Sequence, residues 1–71
     1  MEENTTRKRI GADLRAIREA KGLSTRELAE KAELVHSHIV RIESGKYGFT
    51  IDTLQRICEV LNITIKLESN G

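Results

Sequence analysis

Apolar residues recur three and four positions apart in four successive runs, and only a few residues separate each run from the next. That spacing puts them on one face of an α-helix. Breaks this short force consecutive helices to pack directly on one another. The first run predicts a helix over residues 6–21, with Ile10, Leu14 and Ile17 as its apolar stripe. Gly22 ends it, because glycine accepts the left-handed conformation found at many helix ends. Ser24-Thr25-Arg26-Glu27 then has the capping-box spacing: the Ser24 hydroxyl accepts from the Glu27 amide while the Glu27 carboxylate reaches back. This opens a second helix over 24–32 with Leu28 and Ala29 inward. Glu33-Leu34 links it to a third over 35–44, with Val35, Ile39 and Ile42 inward. Gly45 stops that helix, and Lys46-Tyr47-Gly48-Phe49 forms a loop. Thr50 caps a fourth helix over 50–61, carrying Ile51, Leu54, Ile57, Cys58 and Leu61.

The period then changes. Ile63, Ile65 and Leu67 alternate with Thr64, Lys66 and Glu68, the pattern of a half-buried strand over 62–68. Ser69-Asn70-Gly71 are expected to fray. The expected architecture is all-α: one helical domain over 1–61 with a short C-terminal β-strand. A chain of 71 residues leaves no room for a barrel or a two-domain enzyme. At 38% apolar it buries only a small core, and such chains usually need a staple or a partner subunit. One cysteine excludes an internal disulfide, and two histidines with it are too few for a structural zinc. His36 and His38 diverge by roughly 200° on a helix, so they do not share a metal ion. A lone strand needs a partner for its ladder, and the same strand of a second chain offers the nearest symmetric solution. Ile63, Ile65 and Leu67 are therefore the candidate dimerisation residues, with folding back on the chain's own helices or fraying as the alternatives. No stretch approaches the roughly 18 apolar residues of a membrane span, and no signal pattern opens the chain, so a cytoplasmic protein with no membrane role is expected.

Twelve Lys and Arg against eleven Asp and Glu give a net charge of +1, far from the basic footprint common among nucleic-acid binders. One Phe, one Tyr and no Trp argue against stacking on single strands. No nucleophile–base pair, phosphate-cradling glycine loop or carboxylate dyad stands out, so no enzymatic activity and no cofactor are expected. Cys58, among Leu54, Ile57 and Leu61, reads as a small buried hydrophobe. Any nucleic-acid function must come from where the charges sit.

The second and third helices, joined by a short turn, match a helix-turn-helix. From Ile10 to Leu61 the sequence resembles the phage repressor and Cro type of helix-turn-helix regulator. The resemblance is carried by IGADLRAIREAKGLSTRELAEKA, HIVRIESGK and TIDTLQRICEVLN, with signposts at Leu14, Arg18, Gly22, Leu23, Ser24, Leu28, Ala29, Ile39, Glu43, Gly45 and Leu54. It implies a DNA-binding repressor whose third helix enters the major groove, reading a palindromic operator as a homodimer. Independently of it, Ile39 and Ile42 facing inward would leave His36, Ser37, Val40, Arg41 and Ser44 on the opposite side. Arg41 can grip a guanine with both arms, His36 and Ser37 sit in the first turn, and Val40 can meet only a thymine methyl. Phosphate contacts are expected from Thr25 at the start of the second helix, from Ser44 and Lys46, and from the backbone around Tyr47. Arg7, Lys8 and Arg9 are either a further DNA contact or a solubilising end.

The resemblance also implies a semi-buried ion pair between Arg18 and Glu43, tying the first helix to the end of the third. The chain departs from the family at four places. Thr25 stands where a glutamine usually clamps the backbone and supports the third helix. Glu33 stands where the turn usually has glycine, Val35 where a small polar cap is usual, and Phe49 where proline is common; Phe49 is expected to plug the core. Antitoxins of the HipB kind look similar in having a strand after such a bundle, which adds a toxin protein as an alternative partner. An interaction module without DNA binding is the third reading that the low charge keeps open.

Overall fold

The computed structural model describes residues 5–67 and 69. Four helices make up its regular structure: α1 (Thr5–Ala20), α2 (Thr25–Ala32), α3 (His36–Ser44) and α4 (Ile51–Leu61). Each lies within a residue of its predicted bounds. α1 packs on α3, α3 on α2, and α2 on α4. Leu28, Ile39, Ile42, Ile57 and Leu61 are fully buried where the helices meet, flanked by Leu14, Ala29, Leu54 and Cys58. Burial of each large aliphatic side chain contributes about 1.5–3 kcal/mol, so this cluster outweighs any exposed ion pair on the surface. Phe49 packs against it as expected. Among the described residues no helix is long and apolar enough to cross a membrane.

Helix starts follow the sequence signals. The capping box forms in full: Ser24 Oγ accepts from the Glu27 amide at 3.0 Å, and Glu27 Oε1 accepts from the Ser24 amide at 2.8 Å. These bonds favour the ionised Glu27 carboxylate, the backbone bond most, and hold its pKa below the ordinary value. Thr50 Oγ1 caps α4 by accepting from the Thr53 amide at 3.1 Å. α3 has no such cap, since Val35 occupies that position with extended backbone and no side-chain hydrogen bond.

Three helix ends share one device. Gly22, Glu33 and Asn62 are left-handed, at φ of 74°, 59° and 58°. The amide of each following residue bonds back to a carbonyl in the last turn: Leu23 to Arg18, Leu34 to Ala29 and Ile63 to Cys58, at 2.8–3.1 Å. The same turn folds Leu23, Leu34 and Ile63 onto the core. Two expectations change as a result. Val35 is not inward but 67% exposed, because α3 begins at His36 and Leu34, one residue earlier, supplies the apolar contact. Ile63 is half-buried against its own chain's core, so it belongs first to the fold of the monomer.

No strand forms among the described residues, and residues 63–67 carry no regular structure. Among the described residues the expected strand finds no ladder partner. Ile65 is 45% exposed and Leu67 94%. Glu68 and the expected fraying at Asn70 and Gly71 lie outside the described residues.

Candidate nucleic-acid interface

The pairing of α2 with α3 across the Glu33–Val35 turn presents one face of α3 outward. Ile39 and Ile42 are buried on the inner side. Ser37, Val40, Arg41 and Ser44 are exposed on the other, with Val40 46% exposed, and His36 is half-buried at the first turn. The residues that helical spacing put opposite Ile39 and Ile42 are thus on the outer side of α3.

Two contacts fix how α3 is held. At its C-terminal end the Arg18 guanidinium from α1 grips Glu43 with two bonds, Nε to Oε2 at 2.7 Å and Nη2 to Oε1 at 3.1 Å, while Nη1 donates to the Leu23 carbonyl at 2.7 Å. Both side chains are under a tenth exposed. The hydrogen bond to Glu43 raises the Arg18 pKa above its ordinary value, so the group stays charged at every working pH. A buried bidentate pair specifies geometry more reliably than it stabilises. Here it sets the angle between α1 and α3.

At the N-terminal end, Thr25 Oγ1 lies 2.7 Å from His36 Nε2. The short Thr25 side chain therefore does reach α3, through the imidazole. His36 closes the gap that a longer residue at position 25 would span, and one of its ring nitrogens is engaged before any ligand arrives.

Gly11 is the residue that the apolar pattern does not single out. A Cβ there would stand 2.5 Å from the Ile42 carbonyl oxygen and 2.8 Å from that of Glu43. α1 and α3 cross this closely because position 11 has no side chain. Gly45 is similar: its left-handed φ of 75° turns the chain, and a Cβ would stand 2.6 Å from the Lys8 Cα. The start of α1 therefore lies against the loop after α3. The Arg7 Nη1 atom would be 3.4 Å from a Cβ at Gly48. Arg7 and Lys8 are thus brought to the same end of the domain as Lys46 and Tyr47.

Ser44 is occupied within that loop. Its hydroxyl donates to the Arg41 carbonyl at 2.7 Å and accepts from the Lys46 amide at 3.2 Å. Arg41 lies over the Tyr47 ring, its guanidinium carbon 4.9 Å from the ring centre. Cys58 stays in the core, where burial pushes its thiol pKa up.

The sequence profile of the helix-turn-helix family matches residues 14–67, taking in half of α1 and all of α2, α3 and α4. The chain belongs to the helix-turn-helix family. It is 34% identical over 56 residues to the immunity repressor protein of Bacillus phage phi105, covering 79% of this chain and 39% of that protein. It is 40% identical over 55 residues to the HTH-type transcriptional regulator PuuR of Escherichia coli K12, covering 78% of this chain and 30% of PuuR. The chain thus spans about a third of the length of these curated relatives. Its fold superposes with a TM-score of 0.82 on the crystal structure of the restriction-modification controller protein C.AhdI from Aeromonas hydrophila. There 28% of residues are identical, over 86% of this chain and 92% of that one. In this helix-turn-helix domain, α2 and α3 form the motif and α1 supplies the buried Arg18 that fastens it.

Proposed function

We propose that this chain is a sequence-specific double-stranded DNA-binding transcriptional regulator, a repressor acting as a homodimer in the cytoplasm without enzymatic activity. The observation that carries this reading is the outward face of α3, fastened at both ends by Arg18–Glu43 and Thr25–His36. α3 enters the major groove with Arg41 placed for a guanine and Val40 for a thymine methyl. His36 and Ser37, in the first turn, meet base edges. Thr25 at the α2 start, Lys46 and the backbone at Tyr47 bind phosphates. Ser44, with its proton committed to Arg41, contributes by shaping the loop. Arg7 and Lys8, lying against that loop, extend the cationic end.

A dimer reads two half-sites about one helical turn apart. Ile65 lines an apolar groove with Ile10, Ile17, Leu54 and Ile63, and Leu67 is apolar and exposed, which supports the tail as the dimerisation element. The antitoxin alternative rests on the tail alone, and nothing in the packing favours a toxin over a second copy. Removing residues 64–71, which spares the Ile63 cap, and measuring mass in solution tests the tail: an unchanged dimer removes its role.

The DNA reading is tested by a salt titration on the duplex upstream of the chain's own gene. Binding falls steeply with salt, with a slope corresponding to about 6–10 phosphate contacts for a dimer. Lys46→Ala weakens all sequences alike, while Arg41→Ala relaxes base preference. Equal loss on every sequence for Arg41→Ala contradicts its assignment, and a flat salt response refutes DNA binding itself.

A further inference from the structure

The cation–π contact of Arg41 with the Tyr47 ring is built by the turn that follows α3. Ser44 ties the Arg41 carbonyl and the Lys46 amide to one hydroxyl, spanning the turn from both sides. Gly45, left-handed and closed in by the Lys8 backbone, reverses the chain between them. Tyr47 is delivered beside Arg41 as a result, and its ring, half-exposed, takes the guanidinium at 4.9 Å.

A guanidinium carries all its N–H donors in its plane, so stacking through its face leaves the donor edge available. An exposed arginine is otherwise spread over many rotamers, and ordering it opposes binding. A side chain already held on a ring has part of that ordering done when the protein folds. We infer that Tyr47 is a specificity-determining positioning residue: its ring presets Arg41 in the conformer that reads guanine. The inference rests on the DNA-binding reading proposed above and assigns the ring a role separate from any phosphate contact of the Tyr47 backbone.

The test is selection from a random-sequence duplex pool with the wild-type chain and the variants Arg41→Ala, Tyr47→Phe and Tyr47→Leu, followed by affinities on the selected duplex and on single-base replacements. The wild type selects a guanine that Arg41→Ala ceases to prefer. Tyr47→Phe keeps that preference. Tyr47→Leu weakens it by roughly two- to fivefold, the worth of an exposed cation–π contact, with the salt slope unchanged. On the Arg41→Ala background Tyr47→Leu changes base preference no further. Thermal melting checks the fold, and Tyr47→Gln replaces the leucine variant if that one melts low. Full guanine preference in the ring-less variant overturns the inference while the DNA reading stands. So does a uniform loss on all sequences with a shallower salt slope, which would mark Tyr47 as a phosphate contact. An unchanged preference in Arg41→Ala overturns it as well, by removing Arg41 as the reader. A wild-type chain that enriches no sequence overturns the sequence-specific reading and the inference together.

Discussion

Replacing Gly11 by alanine opposes two effects of known size. Within a helix, Gly→Ala gains about 1 kcal/mol from propensity, and α1 is regular on both sides of position 11. Against this, the new Cβ would meet the Ile42 carbonyl oxygen at 2.5 Å and the Glu43 oxygen at 2.8 Å. Carbon–oxygen contacts of this kind settle near about 3.3–3.6 Å, so the helices must separate by roughly 0.8 Å or more. Both obstacles are backbone, and no rotamer change relieves them. Overpacking typically costs about 1–3 kcal/mol, and a backbone-to-backbone clash belongs at the upper end. Net of the propensity gain, Gly11→Ala should destabilise the domain by about 1–2 kcal/mol. The loss grows if the separation stretches the Arg18–Glu43 bonds, whose 2.7 and 3.1 Å lengths leave little slack. For a domain of this size that is a fall in melting temperature of at least about 4 °C. Urea unfolding with Ala12→Gly alongside, an exposed position on the same helix, separates the effects, because that variant reports propensity alone. A Gly11→Ala chain more stable than wild type by the alanine increment would refute the reasoning and show that α1 and α3 do not depend on close approach.

Other perturbations have expected outcomes of the same kind. Glu43→Ala leaves the Arg18 charge buried without its carboxylate and should cost about 3–5 kcal/mol in urea unfolding, much of it recovered by an Arg18→Met, Glu43→Leu double variant; a loss below about 1 kcal/mol would contradict a buried pair. Arg18, with its pKa raised, stabilises at all pH values below its ordinary range, so alkali short of that range should not weaken this link. Glu27, with its pKa lowered, contributes above its ordinary 4.5 and loses that contribution as pH falls through the depressed value, so amide protection in the first turn of α2, taken relative to the intrinsic exchange rate at each pH, should fall there on acidification. Unchanged protection across that range would deny the cap any role. The Cys58 thiol, buried and with its pKa raised, should react with thiol reagents only as fast as the domain opens; rapid labelling under native conditions would place it outside the core.

What could be read from the residues divides by distance along the chain. Gly22, the Ser24–Glu27 box, Gly45 and Thr50 act within a few residues of themselves, so their types and spacing announce them. The shape of the turn after α2 does not announce itself. Glu33 takes the left-handed conformation without being glycine, and only that turn makes Leu34 rather than Val35 the inward residue. The outward face of α3 was legible from helical spacing, but the contacts that hold its members were not. Thr25 meets His36 eleven residues away, and Gly11 meets carbonyls some thirty residues on. Such pairs depend on where two helices cross, which periodicity does not encode. Arg18–Glu43 could be anticipated only through the resemblance to other regulators.

Charge shows the same division. A net charge of +1 counts every group equally, whereas the fold removes some from the surface field and gathers others. Glu43 is neutralised by Arg18 beneath the surface, Glu19 is paired with Arg15 at 3.2 Å, and Glu27 is turned back on its own helix start. Arg41 and Lys46 stay at the C-terminal end of α3, with Arg7 and Lys8 drawn to that end by the close approach at Gly45 and Gly48. A chain built this way has a local positive surface but little long-range field, because acids elsewhere cancel it beyond roughly one Debye length. On the proposed DNA-binding reading it should bind unrelated duplexes weakly, with affinity for its own site resting on an accurately held α3. The buried ion pair, the Thr25–His36 contact and the Gly11 crossing all restrict the position of that one helix, which is where the proposed function requires a near-neutral chain to be rigid.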